Sequence, residues 1–349
     1  MVKVTDRPAA PASLRVLATA VDMYKHLFVA GPVAPLLSRP KPVRRSGFEL
    51  PMVLASSTMA AEDVRVLELR ATDGGPLPAW TPGSHLDLVL PSGKQRQYSL
   101  CGDPADRYSY RIAVRRLADG GGGSVEIHDT LRTGDPIRVR GPRNAFSFVD
   151  APSYLFLAAG IGITPILPMV QAAGARGQLI YLGRSRTTMP FLDELPATAE
   201  VLPDDEYGGP RIAELIARSA PGAAVYVCGP PPVLAEAQRV FFEVNPTGSL
   251  HTERFSAPPV LDGKPFDLTL ARTGTTVRVD AAETTLTAIA RAVPDVLYSC
   301  RQGFCGTCKV AVLAGAVEHR DRLLTAAERE DRMLTCVSRA AGHSLVIDL

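Results

Sequence analysis

Four of the six cysteines of this 349-residue chain lie in its last 50 residues. Cys300, Cys305 and Cys308 are separated by four and two residues, and Cys336 follows after 27 intervening residues. This C-x4-C-x2-C…C spacing is that of the thiolate ligands of plant-type 2Fe–2S clusters. The four cysteines are therefore predicted to hold such a cluster, which carries one electron at a time.

Structural zinc and disulfides are the alternatives for these cysteines. Zinc sites usually carry paired C-x2-C knuckles, and only one such pair is present here. Gly303 and Gly306 remove side chains where a loop must curl closely around a cluster. The spacing and the glycines together favour the 2Fe–2S centre.

A second group of polar residues, Arg96-Gln97-Tyr98-Ser99, follows a predicted strand. Arginine can pair bidentately with phosphate, tyrosine can pack on a ring system, and serine can hydrogen-bond a flavin nitrogen. About 25 residues later, Gly121-Gly122-Gly123-Ser124 precedes a helical segment, where exposed backbone N–H groups would suit a flavin phosphate. Each motif is weak alone, and their order and interval favour a flavin site.

Gly160-Ile161-Gly162-Ile163-Thr164-Pro165 follows a continuous apolar run and resembles a nucleotide-binding loop. It is not the G-x-G-x-x-G dinucleotide fingerprint, because Pro165 and Ile166 stand where a final glycine is needed. Arg184 and Arg186 end the next predicted strand, where an adenosine ribose would lie. Because arginines can pair with a 2′-phosphate, they predict a weak preference for NADPH, a solvated turn being the alternative.

Three changes of sequence pattern predict three domains behind a leader. Residues 51–150 show short strands separated by turns, which predicts an antiparallel β-barrel. Residues 151–256 alternate apolar strands with helical segments, which predicts an α/β domain with a parallel sheet. After a linker rich in proline and glycine, residues 264–349 are predicted to form an α+β domain around the cysteines, with a helix over Leu323–Arg332. Residues 1–50 are predicted to be a leader with one short amphipathic helix, for docking either on the protein's own body or on a partner.

Composition excludes some classes of protein. A formal net charge of +2 gives no bulk attraction to nucleic acid. No apolar run approaches the ~18–20 residues of a membrane helix, so no membrane span is expected. Arg15 and Asp22 interrupt what would be the apolar core of a signal peptide, and a cytoplasmic location is expected.

With these motifs in this order, residues 50–349 resemble the ferredoxin–NADP reductase superfamily and, within it, the phthalate dioxygenase reductase family. The resemblance implies a flavin barrel, then a pyridine-nucleotide domain, then a C-terminal plant-type ferredoxin domain. It also implies FMN rather than FAD. The FMN residues implied are Arg96, Gln97, Tyr98 and Ser99 at the ring and ribityl chain, Ile112 and Val114 on the second flavin-facing strand, and Gly122, Gly123 and Ser124 at the phosphate.

The resemblance implies a nicotinamide site as well. Its residues are Gly160, Gly162 and Thr164 in the first loop, Cys228 and Gly229 in a Cys-Gly-Pro turn, and Phe255, whose ring would lie near the flavin. Thr164, Cys228 and Ser99 are the residues expected at the site of hydride transfer. A buried small hydrophobe is the alternative for Cys228.

The predicted function is that of the reductase component of an oxygenase system. NAD(P)H would reduce FMN, and the 2Fe–2S cluster would pass electrons singly to a partner oxygenase of the Rieske or haem-thiolate type. Residues 264–349 carry eleven Lys/Arg and ten Asp/Glu, a net charge of +1, so partner recognition need not use a strongly acidic face. A flavin reductase acting on a small molecule such as a quinone, and a redox-sensing binding protein, are the alternative functions.

Overall fold

A computed structural model of the chain describes residues 49–118, 121–294 and 296–349. The amphipathic helix predicted within the leader lies outside the described residues. Three sheets, consecutive along the chain, make up the described part.

The first sheet has six antiparallel strands. They are β1 (Glu49–Ala61), β2 (Val64–Ala71), β3 (Ser84–Val89), β4 (Gln95–Ser99), β5 (Tyr110–Arg115) and β6 (Pro136–Asn144), in the spatial order β4-β3-β6-β1-β2-β5. Leu100, just after β4, bridges to Ile112 in β5, so the two edge strands meet and the sheet closes on itself. Inward side chains such as Leu67, Leu69 and Leu88 fill the interior, and helix α1 (Gly123–Asp129) adds Ile127 to it. The predicted antiparallel barrel is confirmed.

The second sheet is parallel, as predicted. Its strands are β7 (Tyr154–Ala159), β8 (Gly177–Gly183), β9 (Glu200–Pro203), β10 (Ala224–Cys228) and β11 (Ser249–Glu253), in the order β11-β10-β7-β8-β9. All six residues of β7 are buried because both faces of the sheet are covered. Phe156 and Ala158 join one apolar cluster, and Leu155 and Leu157 join the cluster on the opposite face.

Helices follow the strands of this sheet. They are α2 (Ile163–Ala173), α3 (Asp204–Tyr207), α4 (Ile212–Ile216) and α5 (Pro231–Val244). Helix α2 begins directly after the Gly160–Gly162 turn at the end of β7. Helix α5 begins after the Cys228 end of β10, with Pro231 in its first turn, where a missing N–H costs nothing. The two predicted nucleotide segments are thus the carboxyl ends of neighbouring strands.

The third sheet is mixed and belongs to the cysteine-containing region. Its strands are β12 (Phe266–Leu270), β13 (Thr275–Val279), β14 (Lys309–Ala314), β16 (Arg332–Leu334) and β18 (Ser344–Ile347), in the order β13-β12-β18-β14-β16, beside a small pair of β15 (Val317–Glu318) and β17 (Arg339–Ala340). Helix α6 (Thr285–Ala292) packs on it and is capped by the Thr284 side chain, which accepts from the Thr287 N–H. The α+β prediction for this region is confirmed.

The helix predicted over Leu323–Arg332 is wrong. Only the short 3₁₀ turn Glu328–Glu330 forms there, and β16 begins at Arg332. The carboxylate of Asp321 accepts hydrogen bonds from the N–H groups of Leu323 and Leu324. Such local side-chain bonds offer the backbone an alternative to a helix.

The described chain packs as one unit from Glu49 to Leu349. The division at 51–150, 151–256 and 264–349 therefore stays a prediction, although each range contains one of the three main sheets. Within the described ranges, every helix is too short or too polar to cross a bilayer.

Candidate functional site

A cavity of about 300 Å³ lies where the three sheets meet. Its volume is at the lower end of the range for small-molecule sites. It is lined by Arg96, Gln97, Tyr98, Ser99, Ala113, Arg115, Leu117 and Ser124 of the barrel, by Ile161, Thr164, Glu253, Arg254, Phe255, Ser256 and Ala257 of the parallel-sheet region, and by Tyr298, Ser299, Cys300, Arg301 and Gln302 of the cysteine loop. Residues more than 200 positions apart along the chain therefore share one site.

The four residues of the Arg96–Ser99 motif all line this cavity, and their role at a flavin stays a prediction. They form most of β4, which pairs with β3 at the edge where the barrel closes. Burial raises the pKa of the Tyr98 hydroxyl well above its usual value, an effect that the nearby Arg96 guanidinium partly offsets, so this group stays a neutral donor. The side-chain nitrogen of Gln97 is buried and has no hydrogen-bond partner among the described residues.

The predicted contact of Ile112 and Val114 with the flavin needs a correction. Both side chains are fully buried in the barrel interior, and Ala113 between them lines the cavity. Successive side chains of a strand point to opposite faces, so a shift of one residue exchanges the two sets.

The glycine turn lies beside the flavin motif. A Cβ at Gly123 would come within 2.6 Å of the Arg96 side chain, which shows how closely the turn and the arginine pack. Gly122 has a left-handed backbone (φ +78°), which glycine adopts without strain. The Ser124 hydroxyl lines the cavity, but it is bonded to the backbone N–H and carbonyl of Leu117.

The two predicted nucleotide segments are in direct contact. A Cβ at Gly162 would lie 2.2 Å from the carbonyl oxygen of Cys228, and a Cβ at Gly229 would lie 2.7 Å from the Cβ of Ala159. Gly160, at φ +55°, turns the chain directly after β7. The glycines let the ends of β7 and β10 approach closely enough to form one surface.

Thr164 and Cys228 occupy different positions relative to the cavity. Thr164 is buried in its wall and donates to the carbonyl oxygen of Ile161 at 3.0 Å. Cys228 lies behind the wall, wholly buried. Burial, with a smaller contribution from Glu253, raises the pKa of its thiol, so the thiol is neutral.

Glu253 is a site residue that the sequence analysis did not assign. It ends β11, pairs in register with Cys228 and lines the cavity. Its Oε2 atom is buried without a hydrogen-bond partner among the described residues. Burial raises the pKa of the carboxyl to about 8, and the Ser99 hydroxyl partly offsets this effect.

We expect the Glu253→Gln variant to gain stability relative to wild type as the pH rises from 6 to 9. In the unfolded chain the glutamate pKa is ~4.3, so the folded chain binds this proton more tightly than the unfolded chain does. The stability that follows from this tighter binding is fully present below pH ~4.3. This contribution is lost as the pH rises through about 8, whereas glutamine stays neutral throughout. The difference in unfolding free energy between variant and wild type should change by at most ~3 kcal/mol, measured from thermal unfolding at both pH values.

Glu243→Gln is the matched control, because Glu243 is exposed on α5. Its stability relative to wild type should change little between the two pH values. A pH-independent difference between Glu253→Gln and wild type would show that the Glu253 carboxylate is not buried.

Arg184 and Arg186 lie outside this cavity. Both are exposed after β8, and the Arg186 guanidinium forms two hydrogen bonds with the Glu206 carboxylate, at 2.7 and 3.0 Å. The predicted role of Arg186 at a 2′-phosphate therefore competes with an existing ion pair. Arg184 takes part in no salt bridge within the described ranges.

The four predicted cluster ligands come together as two pairs of thiols. Cys300 is hydrogen-bonded to Cys305, and Cys308 is hydrogen-bonded to Cys336. All four are free of disulfides, and three of them are buried. No three described His, Cys, Asp or Glu side chains are grouped around a single-ion position. Two thiol pairs fit a cluster of two irons, each with two cysteine ligands.

The electrostatics of the pairs favour the thiolate form that binds metal. The hydrogen bond from Cys300 is the main cause that lowers the pKa of Cys305 to about 5, and Cys336 likewise lowers the pKa of Cys308. The partner thiol of each pair has a raised pKa because it donates that bond. Gly303 and Gly306 have left-handed backbones (φ +79° and +78°), as the predicted tight loop requires.

The cysteine loop is bound to the other two regions by contacts that the sequence analysis missed. The Ser299 hydroxyl donates to the buried carboxylate of Asp87 in β3 at 2.5 Å, and Asp87 also pairs with Arg143. Gln302 donates to the carbonyl oxygen of Arg254. These contacts place Cys300 in the cavity wall.

Comparisons with known proteins agree with this architecture. Residues 268–341 match the family described as 2Fe-2S iron-sulfur cluster binding domain. The chain is 40% identical over 318 residues to the toluene-4-sulfonate monooxygenase system reductase subunit of Comamonas testosteroni, an alignment that covers 86% of this chain and 99% of the relative.

Two solved structures are similar over most of the chain. One is phthalate dioxygenase reductase, described as a modular structure for electron transfer from pyridine nucleotides to a 2Fe–2S centre (34% identity, TM-score 0.64, 86% of this chain and 98% of that chain). The other is an intact type IV self-sufficient cytochrome P450 monooxygenase (40% identity, TM-score 0.63, 91% of this chain). This chain spans only 44% of the latter protein.

Proposed function

This chain belongs to the phthalate dioxygenase reductase family, and on that premise we propose that it takes electrons from NAD(P)H onto FMN and passes them through its 2Fe–2S cluster to a partner oxygenase. The family serves oxygenase systems as their reductase. The finer parts of the proposal are FMN as the flavin, the residues that hold it, and an oxygenase of the Rieske or haem-thiolate type as the acceptor.

The observation that carries the proposal is the shared cavity. Ser99 of the barrel, Thr164 of the parallel-sheet region and the cluster ligand Cys300 all line it. A flavin held there would contact the nucleotide side and the cluster side of the protein at once. Short distances between redox groups are what an internal electron chain requires.

The residues present fit both redox groups. The buried polar atoms of Gln97 and Glu253, which have no hydrogen-bond partner in the described part of the chain, suit the polar edge of a ring ligand. Arg96, with the glycine turn at Gly122, Gly123 and Ser124, suits a phosphate, and we assign the flavin as FMN on this ground and on the family's domain order. When bound, FMN accepts a hydride and the cluster carries single electrons onward.

The chain's own residues bind and orient the reacting groups. Thr164 and Phe255 line the cavity from the nucleotide side, where Phe255 is half exposed and can yield to a nicotinamide ring. Ser99 faces them from the barrel. Cys228 lies behind the cavity wall, where it positions the Cys-Gly-Pro turn and does not touch the nicotinamide ring. Holding both rings in one orientation is how the protein speeds the transfer.

An anaerobic titration of the purified protein with NADH and, separately, NADPH tests the proposal. We expect loss of flavin absorbance together with loss of the broad cluster absorbance, and released flavin that is identified as FMN. Flavin reduction without any cluster signal would indicate a reductase of small molecules, such as a quinone reductase. No reduction by either nucleotide would favour a redox-sensing protein.

The predicted preference for NADPH stays a prediction, and it now depends on Arg184, because Glu206 pairs with Arg186. If Arg184 contacts a 2′-phosphate, Arg184→Ala should raise the KM for NADPH about tenfold, since it removes one charge-assisted contact. The KM for NADH should not change. Both KM values are obtained from the rate of flavin reduction at a series of nucleotide concentrations.

Arg211→Ala is the control for this variant, because Arg211 is an exposed arginine paired with Glu214 elsewhere on the same region. Equal effects of Arg184→Ala on both nucleotides would remove the basis for an NADPH preference.

A further inference from the structure

Tyr298 joins the cysteine loop to the flavin motif. It lies two residues before the cluster ligand Cys300 and lines the cavity. Its hydroxyl oxygen accepts a hydrogen bond from Nη2 of Arg96 at 2.6 Å. The Arg96 guanidinium also lies over the Tyr298 ring, 4.4 Å from the ring centroid, in a cation–π contact. The predicted phosphate-binding arginine is thus held by a residue of the third region.

Arg96 connects Tyr298 to the glycine turn. Its Nη2 donates to the carbonyl oxygen of Gly121 at 2.8 Å, and its Nη1 donates to the carbonyl oxygen of Gln95 at 2.9 Å. A Cβ at Gly121 would lie 2.8 Å from the Tyr298 hydroxyl, so turn, arginine and tyrosine pack as one unit. These described contacts use three of the five guanidinium N–H donors, which leaves one Nη1 donor and Nε for an anion.

We propose that Tyr298 is a positioning residue of the flavin site, which holds Arg96 in the conformation that binds the FMN phosphate and so links FMN affinity to the docked cysteine loop. This inference rests on the proposed function, since it takes FMN as the ligand. The flavin site is then completed by the cluster-binding region and is not a property of the barrel alone. Because such linkage is reciprocal, bound FMN also favours the docked loop.

Two contacts that do not involve the Tyr298 hydroxyl also hold the cysteine loop in place. Ser299 bonds to buried Asp87, and Gln302 bonds to the Arg254 carbonyl oxygen, independently of Arg96. Replacing Tyr298 by phenylalanine keeps the ring under the guanidinium and removes only the hydrogen bond. The effect of this variant on FMN binding therefore reports on the position of Arg96.

The test is the FMN dissociation constant of the full chain, measured by flavin fluorescence, with iron content and cluster absorbance measured in parallel. We expect Tyr298→Phe to raise this constant about tenfold, the usual effect of losing one hydrogen bond to a charged group, and Tyr298→Ala to raise it further. Iron content should not change in Tyr298→Phe. Tyr108→Phe is the control, since Tyr108 is an exposed tyrosine of the barrel region outside the cavity lining.

A double-variant cycle separates action through Arg96 from a general loss of packing. In an Arg96→Ala background, Tyr298→Phe should have no further effect on FMN affinity. An unchanged or tighter FMN constant in Tyr298→Phe would overturn the inference while leaving the proposed function intact. A wild-type chain that binds no FMN would instead overturn the proposed function.

Discussion

In the Cys305→Ser variant, we expect NAD(P)H to reduce the flavin at close to the wild-type rate, while electron delivery to a one-electron protein acceptor falls by more than about a hundredfold. Cys305 is one of the four proposed cluster ligands, and the neighbouring Cys300 thiol lowers the pKa of Cys305, which favours the thiolate form that binds iron. A serine hydroxyl in its place cannot supply that ligand. Hydride transfer does not need the cluster, because the nucleotide loops and the flavin motif contain none of its ligands.

The two half-reactions are measured separately. Stopped-flow absorbance follows flavin reduction, with FMN in excess because the cysteine loop contributes Tyr298 to the wall of the cavity proposed to hold the flavin. Reduction of cytochrome c follows the delivery of single electrons. Iron content of the purified variant reports the loss of the cluster directly.

Cys101→Ser is the matched control. Cys101 is a buried free cysteine of the barrel region, about 200 residues before the four clustered cysteines, and its thiol contacts the carbonyl oxygen of Arg111 at 3.5 Å. A serine can make the same contact, so both half-reactions should persist. Equal loss of both activities in Cys305→Ser would contradict the division of labour between flavin and cluster.

Features that depend on local pattern were predictable from the sequence. The six apolar residues Tyr154–Ala159 form β7 with those bounds, because a strand covered on both faces needs an unbroken apolar run. The spacing of the cysteines predicts a tight loop, and Gly303 and Gly306 have the backbone conformations that this loop requires. Both signals lie within a few residues of chain.

Features that depend on distant pairing were not predictable. The strand that contains Ile112 is predictable from the alternation of its apolar residues. Which of its faces meets the cavity depends on the closure of the barrel, so Ile112 and Val114 were assigned to the flavin in place of Ala113. The ion pair of Arg186 with Glu206 joins the turn after β8 to helix α3, 20 residues later. The contact between Arg96 and Tyr298 spans 202 residues, and no pattern in either segment indicates the other.

In the Gly162→Ala variant, we expect the rate of flavin reduction by NAD(P)H to fall about a hundredfold or more. The backbone of Gly162 (φ −62°) suits alanine, so the obstacle is space alone. The added Cβ would lie 2.2 Å from the Cys228 carbonyl oxygen and 3.0 Å from the Gly229 nitrogen, which are main-chain atoms that cannot rotate away. The ends of β7 and β10 must then separate, and overpacking of this kind costs ~1–3 kcal/mol of stability.

Gly162→Ala should impair only the reaction with NAD(P)H. Dithionite should still reduce both the flavin and the cluster, because the barrel and the cysteine loop do not contain the altered contact. Gly209→Ala is the control, since a Cβ at Gly209 meets nothing within 4 Å. Because the clash is with the backbone of residue 228, shortening its side chain in Gly162→Ala/Cys228→Ala should restore nothing. Recovery in that double variant would show that the thiol, and not the approach of the two turns, shapes the nucleotide site.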